Sequence, residues 1–233
     1  MSWKHTNIGS LFCRALPNML YTIFLLLAVF VLVSCQGPAD RRPAEREISL
    51  FDGKTLGKWA ITDFGGQGNV YVKEGSIFLE MGNDMTGINW IGPVVRMNYE
   101  ISLEAKRVTG SDFFCGLTFP VGDNPCSLIL GGWGGEVCGL SNLDYYDAAN
   151  NETTRIISFE QGRWYYVRLR VTPNKIEAWV DDEKIVDVVT TDRKVDIRPE
   201  VDLSQPLGIA TWQTAGAVRN IHLQTLTDLS GVF

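Results

Sequence analysis

Tyr99-Glu100-Ile101-Ser102-Leu103-Glu104-Ala105-Lys106 alternates apolar and polar residues without a break. Tyr99, Ile101, Leu103 and Ala105 point one way and the residues between them the other, the period of two that marks a strand with one buried and one wet face. After a turn at Gly110 the pattern resumes. Phe113, Cys115, Leu117 and Phe119 fall on the apolar side, and Asp112, Phe114, Gly116 and Thr118 on the other. A third unit, Cys126-Ser127-Leu128-Ile129-Leu130, runs into Gly131-Gly132-Trp133-Gly134-Gly135. Four glycines around one indole predict a hairpin tip. Such strands lay carboxylates, hydroxyls and an exposed tryptophan along one side of an antiparallel sheet. That surface suits a sugar, whose hydroxyls need polar partners and whose C–H faces stack on aromatic rings.

Outward from this stretch, nearly every segment from Ile48 on reads as a strand between turns. Val70-Tyr71-Val72 and Ile77 to Met81 flank Lys73-Glu74-Gly75-Ser76, a hairpin signal. Trp164 to Val171, Lys175 to Val180 and Ile185 to Val189 form a meander that turns at Pro173-Asn174 and Asp181-Asp182. Ile209 to Trp212 and Val218 to Leu226 close the domain, and Asp144 to Thr154 is the longest polar loop, a natural place for ligand contacts. No helical period of useful length, repeat or phosphate-binding loop interrupts the series. More than ten short strands predict an all-β, two-sheet antiparallel jelly-roll sandwich of concanavalin A type.

The N-terminus carries a different signal. Lys4 and Arg14 precede an apolar run from Met19 to Val33, and Leu32-Val33-Ser34-Cys35 follows. Fifteen residues fall short of the ~20 that a spanning helix needs. The tetrad looks like a bacterial lipobox, cut before a cysteine that is then lipidated. Residues 1–34 are therefore expected to be a lipoprotein signal peptide, 35–47 the lipidated Cys35 and a Pro- and Arg-rich tether, and 48–228 the domain. Gln36 after the cysteine leans toward the outer membrane of a bacterial envelope. The net charge of the chain is −6, and removing the leader takes away two cations and no acid. An acidic body without a basic cluster argues against nucleic acid and leaves membrane attachment to the lipid.

Beyond Cys35 the cysteines are Cys115, Cys126 and Cys138, with no CxxC spacing of a zinc site. Cys126 and Cys138 lie symmetrically about Gly132, which leaves a cross-strand disulfide open beside the commoner outcome of buried thiols. His222 is the one histidine outside the leader and falls on the polar side of a strand. Acid–base work, if there is any, therefore falls to carboxylates.

Leu50-Phe51-Asp52-Gly53-Lys54-Thr55-Leu56 with Trp59, Gly162-Arg163-Trp164-Tyr165, Ala178-Trp179-Val180-Asp181-Asp182 and Val218-Arg219-Asn220-Ile221 resemble the 3-keto-disaccharide hydrolase domain over about residues 48–226. The resemblance implies a jelly roll acting on oxidised sugars. A ketone at C3 acidifies the neighbouring C2–H, so a base can remove that proton and expel the anomeric substituent, and water completes net hydrolysis. Where the family usually has Asn-Ser-Gly with following aromatics and arginine, this chain has Ser111-Asp112-Phe113-Phe114-Cys115-Gly116-Leu117-Thr118, and no histidine-bearing segment is recognisable.

For proton abstraction the candidates are Glu104 or Asp112, with Glu136 behind them; Trp133 is the stacking candidate, and Thr118 and Asp144 are further substrate contacts. Trp90, Trp179 and Trp212 read as core or inter-sheet packing. Glu100-Ile101-Ser102-Leu103-Glu104 invites comparison with the E-x-D-x-E strand of laminarinase-like glycosidases, but Ser102 replaces the middle acid. The plainer alternative is a solvated face paired with Lys or Arg. Arg168 and Arg170 share a face from which they could bridge to Glu177. No cofactor is implied, although Asp144, Asp147 and Asn150 could chelate calcium through oxygen ligands. The expected function is a lipid-anchored hydrolase acting on 3-keto-glycosides. The alternative is a non-catalytic carbohydrate-binding or cell-surface interaction module, which the missing arginine and histidine and the exposed Trp133 favour; an envelope structural lipoprotein is the third.

Overall fold

A computed structural model describes residues 47–226 of the chain. The leader expected over 1–34, Cys35, the tether up to residue 46, and the end of the domain from 227 lie outside the described residues. In chain order the strands are β1 (Glu47–Ser49), β2 (Trp59–Ile61), β3 (Val70–Lys73), β4 (Ser76–Leu79), β5 (Met85–Trp90), β6 (Tyr99–Gly110), β7 (Cys115–Val121) and β8 (Asn124–Gly132). They continue with β9 (Val137–Ser141), β10 (Arg155–Ile156), β11 (Tyr165–Thr172), β12 (Lys175–Val180), β13 (Glu183–Val189), β14 (Gly208–Trp212) and β15 (Thr214–Thr225). One 3-10 turn, Pro199–Ser204, precedes β14. No helix among the described residues is long and apolar enough to cross a membrane.

Two antiparallel sheets result. The first runs β13-β12-β11-β6-β15-β4-β3, with β1 added on β15, and the second runs β10-β9-β8-β7-β14-β5-β2. The hairpins fall where the turn chemistry puts them: Glu74 and Gly75 both take positive φ, 51° and 72°, in the two-residue turn between β3 and β4. The strict alternation of β6 turns Tyr99, Ile101, Leu103 and Ala105 onto Leu117, Phe119, Leu128 and Leu130 of the second sheet, and this interleaved layer is the core. Tyr99 also donates its hydroxyl across the layer to the Pro120 carbonyl. Leu128 is fully buried, so truncating it to alanine removes several contacts at once and costs about 2–5 kcal/mol.

Three pairings differ from the sequence expectation. The alternation does not run through 111–114, because β7 starts only at Cys115. Phe114 turns inward against Phe159 and Tyr165, while Phe113 turns out to join a second, smaller apolar cluster with Met85, Ile129, Ile197 and Val201. At this break the Asp112 carboxylate accepts the Phe113 amide at 2.7 Å, so that amide is given to a side chain, while the Phe113 carbonyl still accepts from Trp212 and the Phe114 amide donates to Leu130. Cys126 and Cys138 do not bridge. Cys138 stands opposite Leu130 and Cys126 opposite Phe119, and both are free buried thiols, as is Cys115. Arg168 and Arg170 reach back to Glu100 on β6, at 3.9 and 2.8 Å, whereas Glu177 is held by Lys184 and Lys175.

Candidate active site on the outer face of the second sheet

The second sheet does not leave its outer face bare. Met85, Ile129 and Ala210 on that face are covered by Ile197 and Val201 of the segment 190–207 that leads into β14. The cover is incomplete, and a hollow of about 190 Å³ remains. Ser127, Ile129 and Ser141 form its floor, Asp112, Phe113 and Trp133 one wall, and Arg198, Glu200 and Trp212 another. That volume lies below the ~300–1,000 Å³ of sites for drug-sized ligands and suits a single sugar ring.

Each wall has a local cause. Trp133 sits in the turn between β8 and β9 with φ 49° and is 43% exposed, so the glycine-rich tip does hold one indole out to solvent. Asp112 ties the 111–114 turn to that tip, since its second oxygen accepts the Gly134 amide at 3.2 Å. Behind both, Arg107 on β6 buries its guanidinium. One terminal nitrogen donates to the carbonyls of Gly135 at 2.8 Å and of Gly131 and Asp112 at 3.2 Å, and the plane lies over Phe114. Burial pulls the Arg107 pKa down, and its Nε has no partner.

The opposite wall is an ion-pair lattice. Arg198 forks onto Glu200 at 2.6 and 3.3 Å and reaches Asp147 at 3.1 Å. The bond from Arg198 holds Glu200 below the usual carboxylate range and raises the arginine in turn. Three of the five guanidinium N–H groups are used, which leaves two for a ligand. Further out, Arg193 grips Glu152 and Asp144. The Lys194 amide and then Arg193 lower the Asp144 pKa, and these contacts fix the covering segment to the loop 142–154.

The site residues expected from the sequence therefore separate. Asp112 and Trp133 share the hollow. Glu104 does not join them. It stands on the outer face of the first sheet, where its carboxylate accepts Arg219 at 2.6 Å and Asn220 at 2.6 Å, the paired solvated face that was the plainer reading. Glu136 is exposed in the β8–β9 turn, away from the lining. Thr118 is fully buried and bonds Ser127 at 2.9 Å, so it orients a floor hydroxyl and does not itself line the hollow. Asp144 is committed to Arg193 and Lys194. Asn150 donates its amide N–H to one Asp147 oxygen, and the other accepts from Arg198. Trp212 proves to be a wall of the hollow, and Trp179 lies on the outer face of the first sheet beneath Arg168 and Lys184; only Trp90 packs in the core, edge-on to Trp59. Arg198 and Glu200 escaped the sequence reading because the segment 190–207 has no period to reveal that it folds over a sheet.

Two antiparallel sheets packed face to face make a concanavalin A-like jelly-roll sandwich, with a polar, tryptophan-walled hollow on one outer face. A family model described as "3-keto-alpha-glucoside-1,2-lyase-like domain" matches residues 46–224. The chain belongs to that family. Among solved structures it is similar to a protein described as a glycosyl hydrolase from Parabacteroides distasonis, at 15% identity and TM-score 0.52, covering 82% of this chain and 98% of that one. It is also similar to the Crh5 transglycosylase in complex with NAG, at 10% identity and TM-score 0.54, covering 80% and 86%. At these identities the likeness is one of fold. No curated protein matches the chain.

Proposed function

We propose that this chain cleaves 3-keto-glycosides in the hollow on the second sheet, with Asp112 as the base that removes the C2 proton. One observation carries the reading. Among the carboxylates lining the hollow, Asp112 makes no ion pair, whereas Glu200 is held ionised by Arg198. Backbone amides position both Asp112 oxygens, and each keeps a lone pair for a proton. As the C2–H bond breaks, its electron pair forms the C1=C2 bond and the C1–O bond to the leaving group breaks. The carboxylic acid so formed can return its proton to the departing oxygen. Water then adds hydroxyl at C1 and hydrogen at C2. Negative charge gathers on the C3 oxygen during the first step, and the two free N–H groups of Arg198 are the cationic donors on that wall. Trp133 and Trp212 offer ring faces to the sugar.

The family membership supports the substrate class, and the hollow supports the roles. Incubating the domain with a 3-keto-disaccharide and following free monosaccharide tests it. Release by the wild type that drops at least ~100-fold in Asp112→Asn supports the scheme; equal release by the variant overturns it. The exposed Trp133 favours a second reading, a non-catalytic sugar-binding module, which would show glycan binding lost in Trp133→Ala with no release by the wild type. We also propose that Cys35 is lipidated and that the domain is held at the cell envelope by that anchor; the lipobox-like Leu32-Val33-Ser34-Cys35 supports this. A Cys35→Ser chain that still partitions with membranes would count against it.

A further inference from the structure

Beside the proposed catalytic hollow lies a second one of about 280 Å³. The two share Met85, Glu200 and Trp212 in their linings, so they lie side by side on the same face. Phe64 and Trp212 give this second hollow aromatic faces, Asn83 an amide, and Asp84 and Glu200 carboxylate acceptors. Gly65 and Gly66 form the remaining edge, where backbone stands in for side chains and leaves room. Neither lysine nor arginine lines it, although Arg198 backs Glu200 from the other side.

We infer that this second hollow is the subsite for the leaving-group half of the substrate, and that it selects a neutral sugar ring over an anionic one. The inference rests on placing the 3-keto ring in the first hollow and deepens that reading. A leaving group attached at C1 has to lie next to the oxidised ring, and the second hollow adjoins the first at Met85, Glu200 and Trp212. Ring faces on Phe64 and Trp212, one amide and two acceptors match a pyranose with free hydroxyls. Asp84, which has no cationic partner among the described residues, repels a phosphate or a uronate, while Glu200 is already paired with Arg198 and has no charge to spare for an anion.

The test compares kcat/KM for a 3-keto derivative of an α-linked glucose disaccharide with that for methyl 3-keto-α-glucoside, in the wild type and in Asn83→Ala. One ring contact with its hydrogen bonds predicts a wild-type preference of about tenfold for the disaccharide, and loss of the one amide bond in the variant lowers it by about threefold. A wild-type ratio near unity, an unchanged ratio in the variant, or an equal loss on both substrates overturns the subsite while leaving the first hollow intact. If neither substrate turns over, the catalytic reading fails by itself. Calorimetry with unoxidised maltose and methyl α-glucoside then decides the subsite: tighter maltose binding that Asn83→Ala weakens about threefold supports it, and no discrimination overturns it.

Discussion

Replacing Arg107 with methionine tests how the hollow is held open. Methionine keeps the apolar stem and removes the guanidinium, whose one terminal nitrogen joins the Gly131 and Gly135 carbonyls to that of Asp112. The bonds to the two glycines are buried, and a buried acceptor left without a donor costs about 1–3 kcal/mol. Against that stands the relief of burying a cation whose Nε has no partner, worth about 1–2 kcal/mol. The net expectation is a loss of about 2–3 kcal/mol. For a domain of this size that is a fall in Tm of about 4–12 °C. Urea unfolding followed by tryptophan fluorescence measures it, with an unchanged m-value expected if compactness is preserved. The same carbonyls bracket the turns that carry Asp112 and Trp133, so the variant should also lose turnover at temperatures where it remains folded. A stability change under ~0.5 kcal/mol would show that the clamp does not hold those turns.

Three further outcomes follow from other parts of the fold. Burial pushes the thiols of Cys115, Cys126 and Cys138 up to about 12. In the native domain they should resist a maleimide at pH 8 and react only once urea unfolds it; fast labelling of the folded protein would contradict their burial. Glu152 and Glu200 are lowered by their bonds to Arg193 and Arg198, and Asp144 by the Lys194 amide and Arg193. A depressed folded pKa contributes stability that is present above the unfolded value and lost as pH falls through the folded one. The urea midpoint should hold down to about pH 5 and fall below about pH 4, and Arg193→Ala should make that fall shallower; an identical acid limb in the variant would argue against the pairings. Glu104→Gln should leave sugar release unchanged and cost less than about 1 kcal/mol, because its partners lie on the half-exposed outer face of the first sheet. A loss of turnover there would move the site to the other face.

What could be read from the chain alone depended on period and turn chemistry. The alternation of β6, the Glu74-Gly75 hairpin and the meander from β11 to β13 are local signals, and the sheets use them as written. The Gly-Gly-Trp-Gly-Gly tip kept its indole exposed for the same reason. Face, by contrast, is a tertiary property. Glu104 and Asp112 both sit on polar positions of adjoining segments, yet the first faces out from one sheet and the second faces out from the other. The phase changes between the end of β6 and the start of β7, where the Asp112 carboxylate takes the Phe113 amide, and nothing in the period reports such a bond. Arg198, Glu200 and Trp212 were harder still. Arg198 and Glu200 reach the hollow because Ile197 and Val201 fasten an irregular segment onto a sheet face, a contact with Ile129 more than fifty positions away, whereas Trp212 ends β14, a strand legible in the sequence whose outward face was not.

The position of the hydrogen at C2 tests the central claim most directly. In D2O, with the reaction quenched early, nuclear magnetic resonance of the 3-keto-monosaccharide released by the wild type should show deuterium at C2. Abstraction by Asp112 followed by hydration replaces that hydrogen from solvent, and Asp112→Asn should neither release the sugar nor exchange the substrate. Product that retains its original C2 hydrogen, or exchange that proceeds undiminished in the variant, would contradict a base-initiated elimination at this hollow.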